Sequence, residues 1–293
     1  MTSTSLTARG GQPRIDLHTH SNRSDGTDSP TGLVVKAKAA GLTVVALTDH
    51  DTTDGWAEAV AAAQHVGVEL LRGIELSVKC DERSQHLLAY EPDPEDEGLR
   101  TLLSDGAEAR RQRARDMVAL IRLKPGLSRL SYEDVEARAA GGVPGRPHIA
   151  DALLDLLPNA DRATVFAKYL APGTDTYVFR PAPAIEDALR VVVQAGGVPV
   201  LAHPWGRGRG SLTHEKFADL QHLGLAGLEV DHVEHSCEDR EELHRIAADL
   251  GLVVTGSSDY HGTRKPNQLG CETTAPDQYE RLRVLCSVDY AAR

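Results

Sequence analysis

Several short apolar runs in this chain end in histidine or aspartate. "RIDL" leads to His18 and His20, "VVAL" to Asp49 and His50, "VPVLA" to His203, and "LVVTGSS" to Asp259 and His261. Runs rich in Val, Leu and Ala read as strands of a parallel sheet covered by helices. In such folds function collects at the C-terminal ends of strands. An open sheet focuses a site at its switch point, whereas a barrel lets many strand ends converge. The repeated polar strand ends therefore favour an α/β barrel over an open α/β sheet.

The rest of the chain fits that reading. Residues 14–90 alternate strand and helix. Ser29-Pro30 opens a helix by N-cap and first-turn proline, and Gly41 closes it. "WAEAVAAAQHVG" is the next helix, followed by strands at "VELLRGIEL" and "QHLLAY". Strand signals fade over 91–196, after the polar "EPDPEDEG". Helices are expected there over 99–123, 131–141, 147–157, 161–170 and 184–196. This stretch reads as a helical insert or cap, with its return helix near 184–196 open to assignment to the core. Alternation resumes over 197–293: "VPVLA", a helix at 213–223, "LAGLEV", a helix at 238–250, and "LVVTGSSD". Residues 1–13 read as a disordered lead. "GRGRGS" (206–211) lacks the spacing of a dinucleotide fingerprint and reads as a mobile loop.

Composition narrows the function classes. The net charge of −11 argues against coating duplex nucleic acid by bulk charge. It leaves room for a local basic pocket, or for metals that invert the local sign. The apolar runs are too short to span a bilayer, and the first residues carry no apolar export segment. Cys80, Cys237, Cys271 and Cys286 are widely spaced without a CxxC. A cytoplasmic, reduced protein is expected, with no membrane contact. No protein partner is inferable.

The polar strand ends suggest metal chemistry. His18 and His20 alternate on one strand face, along with Asp16, if the extended geometry lasts that far. Asp25 lies in "SDGT", where it serves either a turn or a cation. Glu75 stands inside an apolar strand, where a carboxylate is costly unless paired or coordinated. Its two oxygens can bridge two cations. His86 opens "HLLAY", and His148 sits at a helix start in "GRPHIA", beside an Arg146 suited to a phosphate oxygen. His203 could ligate, donate a proton or bind an anion. Asp259 and His261 stand two apart. His65, His214, His222 and His244 fall on amphipathic helical stretches, and His232 and His235 follow "LEV" with at most a secondary role. Arg110, Arg111, Arg113 and Arg115 form either a solvated helix face or a positive rim that steers a nucleotide or an RNA end. Tyr132, Tyr169 and Tyr177 are candidates for stacking on a base. Nitrogen and carboxylate donors suit Mn, Fe or Zn better than Mg alone.

Taken in order, "DLHTHSNRSDG", "ALTDHDTTDG", "GIELS", "HLLAY", "GRPHIA", "LAHPW", "GLEV" and "GSSDYHG" resemble the PHP (polymerase and histidinol phosphatase) superfamily of metal-dependent phosphoesterases. The resemblance runs from about residue 14 to 270. It is strongest to the stand-alone bacterial branch of nucleoside 3′,5′-bisphosphate phosphatases and 5′-3′ exoribonucleases. It implies a distorted (β/α)7 barrel with a mainly helical insert and a trinuclear metal centre. His18, His20, Glu75 and Asp259 would hold the first metal. Glu75 would bridge to the second, completed by His86 and His148. Asp25, His50 and His261 would hold the third. Arg146 and Lys168 would contact substrate phosphate, and His203 would be a phosphate contact or proton donor rather than a ligand. The implied cofactors are three divalent metals, manganese before iron or zinc. The implied reaction releases the 3′-phosphate of a nucleoside 3′,5′-bisphosphate by attack of a hydroxide held between metals. Exonuclease action on short RNA or oligonucleotides is the alternative, and histidinol phosphatase a more distant one.

Overall fold

The structure, a computed structural model, describes residues 12–81, 83–206 and 212–287. Most of the expected N-terminal lead, and the "GRGRGS" loop from residue 207 on, lie outside the described residues. Seven strands follow one another round one sheet in chain order. They are β1 (Ile15–Asp16), β2 (Val44–Leu47), β3 (Glu69–Cys80), β4 (Arg83–Tyr90), β5 (Val198–Ala202), β6 (Gly227–Asp231) and β7 (Val253–Gly256). A parallel bridge joins Thr19 to Tyr260, and the His20 N–H donates to the Tyr260 carbonyl at 2.8 Å. These contacts bring β1 against β7, so the sheet is a nearly closed barrel.

Most neighbouring strands are parallel, but β4 runs antiparallel to both β3 and β5. The cause is local. Only a tight turn separates β3 from β4, with Asp81 in the left-handed region (φ 47°). A parallel connection needs a crossover of a dozen or more residues, and none is available there.

Alternation along each strand divides the apolar side chains. Val44, Leu71, Leu88, Tyr90, Val198, Val200 and Val253 fill the barrel interior. Val45, Leu47, Ile74, Leu87, Leu201 and Leu228 face the covering helices. Those helices are α1 (Pro30–Ala39), α2 (Trp56–Val66), α7 (Ile185–Gln194), α8 (His214–His222) and α9 (Cys237–Asp249). The return helix α7 thus packs with the barrel, through Ile185, Ala188, Leu189 and Val192. A last helix, α10 (Pro276–Ser287), adds Tyr279 and Leu282 to the interior cluster. The sequence reading missed it, because few of its residues are buried and "PDQYERLRVLCS" reads as mostly polar.

Between β4 and α7 the chain builds α3 (Glu97–Ile121), α4 (Tyr132–Arg138), α5 (Arg146–Leu156) and α6 (Arg162–Val165). The helix expected over 161–170 divides, with α6 followed by a π-helical turn at Phe166–Leu170. These elements own a separate apolar cluster that includes Met117, Ile121, Val135, Ile149, Leu153 and Leu170. The start of α3 packs instead on the barrel through Leu99, Leu102 and Leu103. One helix therefore belongs to both bodies.

The turn that carries Asp25 depends on Gly26. A Cβ there would lie 2.2 Å from the His20 carbonyl oxygen. Gly26→Ala is expected to destabilise the fold by about 1–3 kcal/mol through this forced displacement. Urea unfolding monitored by circular dichroism checks it.

Candidate metal centre

The strand alternation that sends Leu71 into the barrel also sends Glu75 there, 1% exposed. Its Oε2 lies 3.1 Å from each of His18 Nε2, His20 Nε2 and His50 Nδ1. Its Oε1 lies 2.5 Å from His86 Nδ1 and 3.2 Å from His203 Nε2. Burial works to raise the pKa of this carboxyl, but His50, His86 and His18 outweigh burial and hold it well below the usual carboxylate range.

Two further carboxylates join the array. Asp25 Oδ1 stands 3.2 Å from His261 Nε2, and its Oδ2 stands 3.8 Å from His50 Nε2. Asp259 Oδ1 stands 3.3 Å from His261 Nδ1, 3.5 Å from His20 Nε2 and 3.8 Å from His18 Nε2. Four groups result, each with donor atoms mutually within 4.8 Å: His20–Asp25–His50–His261, His18–His20–Asp259, His18–His203–Glu229 and His50–Glu75–His86.

The donor set fits divalent metals. His18 Nε2, His20 Nε2, His50 Nδ1 and Asp25 Oδ1 are buried and make no hydrogen bond, although oppositely charged neighbours are close. Atoms that crowd together without bonding one another are arranged as ligands of a common centre. Buried polar atoms otherwise find partners.

The supporting contacts fix ring orientation. His18 Nδ1 lies 3.0 Å from Glu229 Oε1, which frees Nε2 for the centre. Glu229 also accepts from the His203 backbone N–H at 2.9 Å and from the Ser257 hydroxyl. His261 Nδ1 pairs with the Asp259 carbonyl at 2.8 Å. Asp49 accepts from the Ser21 N–H and from the hydroxyls of Ser21 and Ser24, so it builds the loop between His20 and Asp25. Asp51, His203 and Asp259 hold positive φ values of 53°, 26° and 50°. Such backbone costs about 1–3 kcal/mol per residue and concentrates at sites that need it.

Several expectations need correction. Regular β1 pairing stops at Asp16. Asp16 does not join the histidines; it accepts from the N–H and hydroxyl of Ser258 and from the Gly270 N–H. His148 belongs to none of the four groups, and its Nδ1 accepts the Gly145 N–H at 3.1 Å. His203 stands where His148 was expected, beside Glu75 and His86. The reason is register: β4 and β5 pair antiparallel with His86 opposite Ala202, the residue before His203. Lys168 is exposed and does not line the cavity above the centre, whereas Arg146 does. Asp51, next to His50, accepts the Ser77 N–H and binds Arg110 and Arg180. Of the stacking candidates only Tyr177 lines the cavity, with Phe166 and Phe179 beside it. Glu229 had no assigned role, yet the argument used for Glu75 applies to it, since it too is a carboxylate inside an apolar strand.

Comparison with known proteins agrees with this geometry. Residues 16–136 match the PHP domain model. A 3′,5′-nucleoside bisphosphate phosphatase of Chromobacterium violaceum is 36% identical, the match covering 84% of this chain and 87% of that protein. The chain belongs to the PHP family. A 5′-3′ exoribonuclease of Haemophilus influenzae is 32% identical over 85% of this chain and 90% of its own length. A crystal structure of a candidate metal-dependent phosphoesterase from Bifidobacterium adolescentis superposes with a TM-score of 0.87 at 37% identity, covering 97% of this chain and 100% of that one. This PHP protein is accordingly a metal-dependent phosphoric ester hydrolase with a distorted seven-stranded barrel.

Two outcomes are expected of the centre. His203→Ala loses bound metal while His148→Ala keeps it, and Glu229→Gln weakens metal affinity about 10–100-fold through His18; elemental analysis and chelator competition measure both. Burial disfavours protonation of His20, but Asp259 and Glu75 raise its pKa to about 9. Glu229 and Glu75 likewise overcome burial at His18. Rings protonated at pH 7 must lose their protons to ligate. Metal uptake by stripped protein therefore releases protons, and affinity climbs as pH rises toward about 9. Calorimetry in buffers of different ionisation enthalpy reads the release.

Proposed function

We propose that the protein removes the 3′-phosphate from nucleoside 3′,5′-bisphosphates. The observation that carries this reading is the placement of the donor groups. Glu75, His50, His86, His203, Asp25, Asp259 and His261 line one cavity of about 780 Å³ together with Arg110, Arg113, Arg146 and Arg180. A metal array and a cationic wall in one nucleotide-sized space suit a substrate with more than one phosphate. The similarity to the Chromobacterium violaceum phosphatase supports it.

We assign three divalent metals, with manganese first and iron or zinc as alternatives. His18, His20, Glu75 and Asp259 would hold one, Glu75, His86 and His203 the second, and Asp25, His50 and His261 the third. Divalent metals supply Lewis acidity and lower the pKa of water at neutral pH. The chain's own contribution is orientation. Glu75 turns Oε2 to His18, His20 and His50 and Oε1 to His86 and His203, so its two oxygens would serve two metals. Glu229 fixes His18. Lys265, whose Nζ lies 2.5 Å from Asp259 Oδ2, lines the cavity and brings a cation to the phosphoryl oxygens. Arg146 adds a planar donor fork from the start of α5. His203, turned to Glu75, serves the centre rather than the leaving group.

The second reading is 5′-3′ exoribonuclease action on short RNA, favoured by the Haemophilus influenzae relative. No helix among the described residues is long and apolar enough to cross a membrane. The thiols of Cys80, Cys237, Cys271 and Cys286 are free, which suits action in the cytoplasm.

The deciding experiment gives metal-reconstituted protein adenosine 3′,5′-bisphosphate, histidinol phosphate and a short 5′-phosphorylated RNA. The bisphosphate should release phosphate fastest. Turnover of RNA alone would replace the first reading by the second, and turnover of none would reject both.

A further inference from the structure

We propose that His232 is a positioning residue of the metal centre. Its Nε2–H holds Asp259 by Oδ2, so that Asp259 offers metal its other oxygen alone. This rests on the assignment of Asp259 to the centre and is independent of which phosphate ester is cleaved.

His232 is fully buried and faces the array. Its ring centre lies 4.9 Å from that of His203, and its Nε2 stands 3.7 Å from Asp259 Oδ2. Like His18 Nε2 and His20 Nε2, this atom is buried and makes no hydrogen bond. Two roles are open to such an atom, metal ligand or donor, and the other ring nitrogen decides between them. An imidazole that ligates through Nε2 keeps its proton on Nδ1, which then faces an acceptor. His18 Nδ1 faces Glu229, and His261 Nδ1 faces the Asp259 carbonyl. His232 Nδ1 faces the opposite kind of group, because it accepts the Glu234 N–H at 3.2 Å. A neutral imidazole accepts at one nitrogen and donates at the other. His232 Nε2 therefore carries the proton and is a donor, not a ligand.

Asp259 is arranged to receive it. Its Oδ1 faces His261, His20 and His18, whereas its Oδ2 faces Lys265 and His232. Glu75 differs, since both its oxygens face histidines of the array. One carboxylate is thus placed to serve with two oxygens and the other with one. Lys265 lines the cavity, where a phosphoryl oxygen competes for its Nζ. His232 does not line it, so it is the holder of Oδ2 that substrate cannot draw away.

The backbone fixes the ring. Pairing of β6 with β7 shifts register between Glu229 and Asp231, and such an irregularity re-aims the side chains beside it. The His232 carbonyl accepts Arg240 Nη2 at 2.7 Å, and Glu272 holds both Nη atoms of Arg240, at 3.0 and 2.7 Å. A buried donor set this firmly is costly unless the loaded centre uses it.

The test titrates chelator-stripped protein with Mn²⁺ by calorimetry and records the melting temperature of the same stripped protein. His232→Leu should weaken one class of Mn²⁺ site about 10–100-fold and leave the melting temperature of the stripped protein in place. His232→Gln, whose amide nitrogen reaches the place of Nε2, should recover most of the affinity. His232→Asn, whose amide reaches only the place of Nδ1, should not. His244→Leu removes an exposed imidazole paired with Asp231 and should change nothing. Wild-type affinity in His232→Leu would overturn the proposal. So would a metal lost altogether in both His232→Leu and His232→Gln, which would make His232 a ligand. Should His232→Leu fail to fold, His232→Gln and His232→Asn carry the comparison, with equal affinities as the overturning result. Asp259→Asn separates the two assignments. Wild-type affinity there would remove Asp259 from the centre. A loss there beside wild-type affinity in His232→Leu would reject the positioning role alone.

Discussion

A carboxylate buried inside a barrel sets the terms for the rest of this molecule. Removing Glu75 from water costs several kcal/mol unless opposite charge and hydrogen bonds compensate. The compensation comes from five imidazoles, contributed by separate parts of the sheet. His18 and His20 follow β1, His50 follows β2, His86 lies on β4 and His203 follows β5. No pair of adjacent strands could assemble that ring. It needs a sheet that curves back on itself, which the Thr19–Tyr260 bridge achieves. The left-handed backbone at His203 and Asp259 is tolerated for the same reason: the side chains must turn inward just where the strands end.

The antiparallel β4 gives the barrel its distorted form and decides which histidine completes the set around Glu75. Pairing of His86 with Ala202 brings His86 and His203 to the same edge of the carboxylate. Sequence spacing alone does not contain that fact. His148 and His203 are both histidines at the edge of a regular element, and nothing in their neighbours tells which of them reaches Glu75. Strand direction does, and it depends on the short turn at Asp81. The other polar strand ends were legible because a parallel strand can present its last residues only at one rim of the barrel.

Two other features were hidden for different reasons. Glu229 escaped notice because "GLEV" offers no second polar residue to suggest a site, although a carboxylate among apolar strand residues already demands a partner. The arginines of α3 were visible as a group, but their division was not: Arg110 and Arg113 line the cavity, whereas Arg111 and Arg115 turn to Glu108. Whether a residue faces the cavity or Glu108 depends on how α3 lies across the barrel, and that angle is set by Leu99, Leu102 and Leu103 at its start. Lys168 falls on the π-helical turn, whose extra residue per turn rotates side chains away from the positions an α-helix would give them. The C-terminal α10 buries too narrow a stripe for its pattern to stand out.

The barrel and the helical insert divide the work, and Asp51 joins them. It directly follows His50, and its carboxylate holds Arg110 of α3 and Arg180 of the segment leading into α7. Burial opposes ionisation of Asp51, but Arg110 and Arg180 hold its pKa well below the ordinary value. The ion pair is therefore present at any pH at which the metal ligands are competent. Because α3 starts on the barrel core and ends in the insert's own core, the arginine face is supported at both ends rather than carried on a loop. The histidine–carboxylate array needs only the barrel. A second link runs through Arg264, which donates to Asp151 of α5 and to the carbonyls of Asp25 and Gly26, so the insert is tied to the rim at two places.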